Sequence, residues 1–117
     1  MTSSQIRCLL AVRELTSSRA SSVASKDIAE RIGVSRPSVH RLLDGLDKAG
    51  LVQKIHYGPV LMTEKGITEA DRLLERCQRL AGSLTGSFSL SDEESLNAAI
   101  LLMSGLHEDS LRTIESA

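Results

Sequence analysis

Two stretches of helical periodicity, separated by a tight turn, dominate the first half of the chain. In the first stretch, Ile28, Ala29 and Ile32 fall on one face of a short helix. Gly33 follows at the position where a left-handed residue commonly ends a helix. Val34 can then point inward from the turn. The pattern therefore predicts a short helix followed at once by a turn.

A second helix is predicted to begin near Arg36. Ser35 offers its hydroxyl to the unpaired N–H groups of the first turn, and Pro37 falls where a missing donor costs nothing. Four apolar residues then follow the i, i+3, i+4, i+7 pattern, so about 100° of this helix faces the core. They are Val39, Leu42, Leu43 and Leu46. Two helices joined by such a turn form a helix-turn-helix.

The opposite face of the second helix is polar and is left for a partner. Counting about 100° per residue from Val39 places six residues on it. They are Pro37, Ser38, His40, Arg41, Asp44 and Lys48. Cationic, imidazole and hydroxyl side chains suit contact with nucleic acid. The residues that we expect to contact DNA from this motif are Lys26, Ser35, Arg36, Pro37, Ser38, His40 and Arg41.

A β-hairpin is predicted after Gly50, with LVQKI and VLMT as its strands and HYGP as its turn. Gly58 can take a positive φ there, and Pro59 restricts its neighbour. Lys54, His56 and Tyr57 lie at or near the tip, where a cation and a phenol can touch sugar and phosphate. The alternative is a solvated hairpin without a partner.

A long helix is predicted after the hairpin. Thr63 caps it and Glu64 stands in its first turn. Its apolar stripe has alternating spacings of three and four. The stripe comprises Ile67, Ala70, Leu74, Cys77, Ala81 and Leu84. The helix is expected to end between Gly82 and Gly86, where GSLTGSFSLS forms a Gly/Ser-rich break.

A further helix is predicted from Ser91, with Glu94 at capping-box distance. The segment from Leu96 to Leu106 is apolar almost all round, which favours packing on two sides and hence dimerisation. The interface candidates are Leu96, Ile100, Met103 and Leu106. The segment from Ser110 adds a last turn or a short helix.

The first helix is predicted from Ser4 to Leu15, with Ile6, Leu9, Leu10 and Leu15 turned inward. The Ser-rich segment from Thr16 to Ser25 has no helical period and predicts a surface loop. The predicted fold class is mainly α with a small β-hairpin, a winged helix-turn-helix followed by dimerisation helices. The predicted domains are residues 1–65, which bind DNA, and residues 66–117, a linker helix and dimerisation helices.

The segment DIAERIGVSRPSVHRLLDGLDKAGLV, followed by YGPV and MTEKG, resembles the DNA-binding half of the diphtheria-toxin-repressor family of metal-dependent regulators. The resemblance covers residues 23–84. Its first part is shared by many winged helices, including the multiple-antibiotic-resistance and iron–sulfur-regulator types. The family's order continues with a strand, a tight turn, a second strand, Thr63-x-x-Gly66 and a long helix. The short wing argues against the multiple-antibiotic-resistance type.

Charge is divided unevenly along the chain, although the net charge is −1. Residues 1–60 hold nine Lys and Arg against five Asp and Glu, whereas residues 61–117 hold five against ten. A basic first half is expected of a phosphate-binding face. Together with the motif and the resemblance, this charge distribution leads us to expect a DNA-binding transcription regulator. The resemblance implies a repressor of the metal-dependent-regulator type that reads a pseudo-palindromic operator as a homodimer. The rival is a winged-helix protein-interaction module without DNA binding.

The resemblance implies a site for Mn²⁺ or Fe²⁺, but the ligands that it requires are missing here. Ungapped alignment places Cys77 at the family's histidine position, and Cys8 and Ala11 at its first-helix positions. The family's ligand cluster in the later helix falls on Leu101, Ser104 and Gly105, or one residue earlier on Met103 and Ser104. If the Ser-rich loop contains an insertion, the first-helix ligand positions become Ser4 and Arg7 instead. Hard and borderline cations favour carboxylate and imidazole donors, so no metal cofactor is expected.

Three interpretations of Cys8 and Cys77 stay open at this point. They are inert buried thiols, a redox switch, or a soft-ion site completed by Met103.

Other functional classes find little support in the sequence. GxSxG, HExxH, Walker-type and CxxC motifs do not occur, so we expect no enzyme. No run of eighteen apolar residues occurs, and MTSSQIR lacks the apolar core of a signal peptide. We therefore expect a cytoplasmic protein with free thiols and no membrane partner.

Overall fold

The computed structural model describes residues 1–18, 22–55 and 58–117 of the chain. Within them lie six helices: α1 Ser3–Ser18, α2 Ser25–Ile32, α3 Arg36–Lys48, α4 Glu64–Phe88, α5 Asp92–Gly105 and α6 Glu108–Glu115. The described strands are β1 Ser22–Val23, β2 Val52–Lys54 and β3 Val60–Met62. Their order in the antiparallel sheet is β1-β3-β2. The predicted winged helix-turn-helix fold is confirmed.

The chain divides into two compact units. The HTH unit comprises residues 4–71, and the helical unit comprises residues 1–3 and 72–117. No helix in the described ranges is long and apolar enough to cross a membrane.

The helix-turn-helix has the local structure that its sequence predicts. Gly33 ends α2 in the left-handed region, with φ 71° and ψ 35°. Ser35 is the N-cap of α3, and its hydroxyl accepts a hydrogen bond from the Ser38 N–H at 3.3 Å. The predicted apolar face is buried at Ile28, Ala29, Val39, Leu43 and Leu46, and half-buried at Ile32 and Leu42. Periodicity alone therefore located both helices and their inner faces.

The first helix and the segment after it differ from the prediction. Helix α1 continues to Ser18, and Ile6, Leu9 and Leu15 are buried in it, whereas Leu10 is half-buried. The predicted loop from Thr16 to Ser25 is wrong at both ends, because α1 includes Thr16 to Ser18, Ser22–Val23 forms β1 and α2 begins at Ser25. Residues 19–21 of the predicted loop lie outside the described residues. Val23 pairs with Val60 and is buried. A two-residue strand has no alternation to detect, so only its pairing with β3 reveals it.

The predicted hairpin is confirmed, and the start of α4 packs directly against it. Thr63 Oγ1 accepts a hydrogen bond from the Gly66 N–H at 2.9 Å and donates one to the Gly50 carbonyl at 2.6 Å. A Cβ on Gly66 would lie 1.8 Å from the Leu51 carbonyl oxygen. Only glycine permits this backbone-to-backbone approach.

The helical unit corrects two predictions about α4. The helix continues through Gly82 and Gly86 to Phe88, two residues beyond the predicted end, and the predicted break is confined to residues 89–91. The apolar stripe is also shifted: Leu73 is 6% exposed, whereas Leu74 is 41% exposed. The other buried apolar residues of α4 are Ala70, Cys77, Leu80 and Ala81.

Helices α5 and α6 are joined to α4 by polar contacts within the helical unit. Ser91 caps α5 by accepting from the Glu94 N–H at 3.1 Å, as the capping box predicts. The buried Ser95 hydroxyl accepts from Thr85 Oγ1 at 2.7 Å. The buried Arg76 guanidinium donates to both Glu108 carboxylate oxygens, at 2.7 and 2.8 Å. Arg76 therefore ties the start of α6 to α4.

Candidate nucleic-acid interface

The outer face of α3 is open to solvent along its whole length. Five of the six residues that helical geometry predicts there are exposed, and Ser38 is half-buried. The exposed five are Pro37, His40, Arg41, Asp44 and Lys48. The face is also ordered at its N-terminal end, because Ser38 Oγ accepts from Ser35 Oγ at 2.9 Å and from Arg41 Nη2 at 3.2 Å. The Arg41 guanidinium therefore lies along the first turn of the helix.

Cations surround the turn that precedes α3. Lys26 and Arg36 line a shallow depression of about 420 Å³ together with Gly33 and Val34. The prediction that Val34 points inward is wrong: 39% of its surface is exposed. The Val34 N–H bonds back to the Ala29 carbonyl at 3.2 Å, which completes the end of α2 after Gly33.

Among the described residues, four cations on and around α3 form no ion pair with a carboxylate. Acidic partners occupy other cations of the HTH unit: Arg13 pairs with Asp71 at 3.0 Å, and Arg31 with Glu14 at 2.6 Å. Within the described part of the chain, no carboxylate forms an ion pair with four basic side chains on and around α3. They are Lys26, Arg36, Arg41 and Lys48. Cations without an ion pair attract polyanions, even though Glu30 lines the same depression as Lys26 and Arg36, and Lys48 interacts with Asp44.

The wing brings its cation onto the outer face of α3. Lys54 Nζ donates to Asp44 Oδ1 at 2.5 Å, and the Lys54 N–H donates to Asp47 Oδ2 at 3.2 Å. The hydrogen bond from Lys54 holds the pKa of the Asp44 carboxyl below its usual value. His56 and Tyr57, the other predicted wing residues, lie outside the described residues. The Asp44–Lys54 ion pair was not predicted from the sequence. Asp44 is the single acid between Arg41 and Lys48 on the outer face of α3, and this position indicated a cationic partner.

A groove of about 570 Å³ separates α3 from the wing. Asp44 and Lys54 both line this groove, together with His40 and Ile55. The recognition helix and the wing therefore line one groove with both polar and apolar side chains.

The residues at the family's metal-ligand positions do not fit Mn²⁺ or Fe²⁺. Cys8 and Cys77 are buried, and burial raises the pKa of the Cys8 thiol to about 11. Leu101 supplies no donor and is 57% exposed. In residues 1–18, 22–55 and 58–117, no three His, Cys, Asp or Glu side chains are grouped so as to hold a metal ion. The donor set lacks the oxygen and imidazole ligands that these ions favour.

The predicted interface residues of the helical unit differ in exposure. Leu96 is 41% and Leu106 39% exposed, and Met103 is half-buried. Ile100 is only 8% exposed, because it packs inside the chain, and it leaves little surface for a second copy. Phe88 and Leu101 are more exposed than any of the four, at 67% and 57%. An apolar cavity of about 340 Å³ adjoins Phe88 and is also lined by Leu84 and Leu102.

Comparison with known proteins supports the winged helix-turn-helix fold, whereas membership of the diphtheria-toxin-repressor family is not confirmed by a family model. A model of the MarR family, the multiple-antibiotic-resistance type, matches residues 1–56. This is the type against which the short wing argued in the sequence. The matched residues end before β3, so the match depends on the helices rather than on the complete wing. No curated protein matches the chain.

Two solved structures are similar to the chain over nearly its whole length. The crystal structure of T. acidophilum IdeR has a TM-score of 0.71 and 24% identity over 95% of this chain. The chain spans 52% of the length of that protein. The hypothetical protein SSo2273 from Sulfolobus solfataricus has a TM-score of 0.69 and 18% identity, covering 99% of this chain and 88% of its own. With the geometry above, these similarities identify the chain as a winged helix-turn-helix protein whose first 56 residues match the MarR family.

Proposed function

We propose that this chain is a DNA-binding transcription regulator of the repressor type that reads a pseudo-palindromic operator as a homodimer. The observation that carries the proposal is the row of unpaired cations on and around the exposed face of α3. Duplex DNA presents a dense row of phosphates, and the affinity of DNA-binding proteins depends largely on neutralising them. Lys26, Arg36 and Lys48 suit phosphate contact, and Arg41 suits base contact.

Arg41 is the residue that we assign to base recognition. Recognition helices place their N-terminal residues against base edges in the major groove. Arg41 is the sixth residue of α3 and lies on its exposed face. Its guanidinium is oriented by the hydrogen bond that it donates to Ser38 Oγ. Arginine pairs bidentately with guanine O6 and N7.

The homodimer is proposed from the exposed apolar side chains of the helical unit. Phe88, Leu96, Leu101 and Leu106 each leave between 39% and 67% of their surface in contact with water. Contiguous exposed apolar surface marks interaction sites, and the apolar cavity beside Phe88 adds to the exposed apolar surface of this unit. A two-fold dimer would place two recognition helices on half-sites about 10 base pairs apart or a multiple of that.

A gel shift with the protein's own upstream DNA tests the proposal. The parent should bind, and Arg41→Ala should lose about 1 to 3 kcal/mol of binding free energy and some sequence preference. Arg112→Ala is the matched control, because Arg112 is an exposed arginine of the helical unit and is not part of the helix-turn-helix. Equal binding by Arg41→Ala and the parent would refute the orientation given to α3. No binding by the parent would favour the protein-interaction module.

A further inference from the structure

An acidic side chain stands in the middle of the cationic face of α3. Asp44 lies three residues after Arg41, and side chains at that spacing are neighbours on a helix surface, about 5 to 6 Å apart between their Cβ atoms. Its side chain is 58% exposed, and its carboxylate bonds to Lys54 of the wing. A carboxylate at this place opposes phosphate binding unless it has its own partner in the complex.

We propose that Asp44 is a specificity-determining residue that reads cytosine, and that Lys54 holds its carboxylate until DNA replaces it. The proposal rests on the proposed DNA-binding function and deepens it. In the free protein, Lys54 compensates the Asp44 charge across the groove between α3 and β2. In the complex, the Lys54 ammonium moves to a phosphate, and the Asp44 carboxylate accepts from the exocyclic amine of a base.

The chemistry of the major groove selects the base. Cytosine presents its N4 amine there, whereas guanine presents two acceptors and thymine an acceptor and a methyl group. Adenine presents an N6 amine beside its N7 acceptor, and N7 would repel a second carboxylate oxygen. Cytosine is therefore the base that fits an ionised Asp44.

The position of the cytosine follows from the spacing on the helix. Three residues of α-helix advance about 4.5 Å along the axis, and one base-pair step of DNA advances about 3.4 Å. The cytosine should thus lie one or two base pairs from the guanine that Arg41 contacts. The Lys54 main chain helps this arrangement, because its N–H bond to Asp47 keeps β2 close to α3.

Selection from a random pool of duplexes by the full-length protein tests the proposal. The parent should enrich cytosine one or two positions from a guanine, and replacing that cytosine with thymine should weaken binding about 5- to 100-fold. Asp44→Asn should enrich adenine instead, because an asparagine amide pairs with adenine N6 and N7. Asp109→Asn removes the same charge from an exposed site in the helical unit and should keep the parent's preference.

Each outcome of this selection decides a separate claim. If Asp44→Asn and the parent enrich the same base, or if the parent accepts any base at that position, the cytosine assignment is wrong while DNA binding stands. If the parent enriches no sequence and binds no duplex, the proposed function fails and the assignment fails with it. The thermal unfolding midpoint of Asp44→Asn should stay close to that of the parent, because the Asp44 side chain is exposed.

Discussion

Replacing Gly66 with alanine should destabilise the HTH unit strongly. The new Cβ would lie 1.8 Å from the Leu51 carbonyl oxygen and 2.8 Å from the Leu51 carbonyl carbon. Both are main-chain atoms, so no side-chain rotation can relieve the clash. The start of α4 would have to move away from β2, and the hydrogen bond from Thr63 to Gly50 would be strained with it.

The magnitude follows from two opposing terms. Overpacking of a well-packed core costs about 1 to 3 kcal/mol, and a clash between main-chain atoms belongs at the upper end of that range. Alanine is favoured over glycine in a helix by about 1 kcal/mol. The net loss should be about 2 kcal/mol, which is a fall of roughly 8 °C in the thermal unfolding midpoint for a chain of this size.

Gly82→Ala is the matched control in the same helix. A Cβ on Gly82 meets no atom within 4 Å, so only the helix preference remains. This variant should be more stable than the parent by about 0.5 to 1 kcal/mol. Thermal unfolding followed by circular dichroism measures both. Equal midpoints for Gly66→Ala and Gly82→Ala would refute the close approach of α4 to Leu51.

Three further predictions concern metal, thiols and acid. Removing divalent metal with a chelator should leave operator binding unchanged, because the donor set does not fit Mn²⁺ or Fe²⁺; loss of binding that added Mn²⁺ restores would overturn this. Native Cys8 and Cys77 should resist iodoacetamide at neutral pH, because both are buried and the pKa of Cys8 is raised to about 11; mass spectrometry showing rapid labelling would support the redox switch instead. The hydrogen bond from Arg13 holds the pKa of the Asp71 carboxyl below its usual value. The Arg13–Asp71 pair therefore contributes to stability above about pH 4, and this contribution is lost as the pH falls through the lowered pKa of Asp71. Asp71→Asn should therefore flatten the acid side of the stability profile, and a profile identical to the parent's would show that the pair contributes nothing measurable.

Local signals in the sequence predicted the helix-turn-helix well. Periodicity found the buried face of α3, Gly33 marked the end of α2, and the capping box at Ser91 marked the start of α5. Each of these features is decided by residues close together in the chain. Once the buried face of α3 was known, helical geometry placed the exposed face on the opposite side of the helix.

Features that depend on tertiary contacts were not predicted. The stripe of α4 runs through Leu73 rather than Leu74 because packing, and not spacing, chooses between two adjacent leucines. Gly82 and Gly86 stay helical because a glycine costs only about 1 kcal/mol in a helix, less than the burial of Leu80 and Ala81 contributes. The Asp44–Lys54 pair joins residues ten positions apart on two elements, so the sequence alone placed Lys54 at the wing without its partner.

The salt dependence of duplex binding tests the central claim most directly. If the unpaired cations of α3 and its preceding turn neutralise phosphates, a dimer should make about six to ten such contacts, and its affinity should fall about 10³- to 10⁵-fold between about 50 and 200 mM salt. Lys48→Ala should lower the slope by roughly one contact for each protomer, and Arg112→Ala should leave it unchanged. Affinity that does not change with salt, or no binding at about 50 mM salt, would contradict the account and identify the winged helix as a module for binding other proteins.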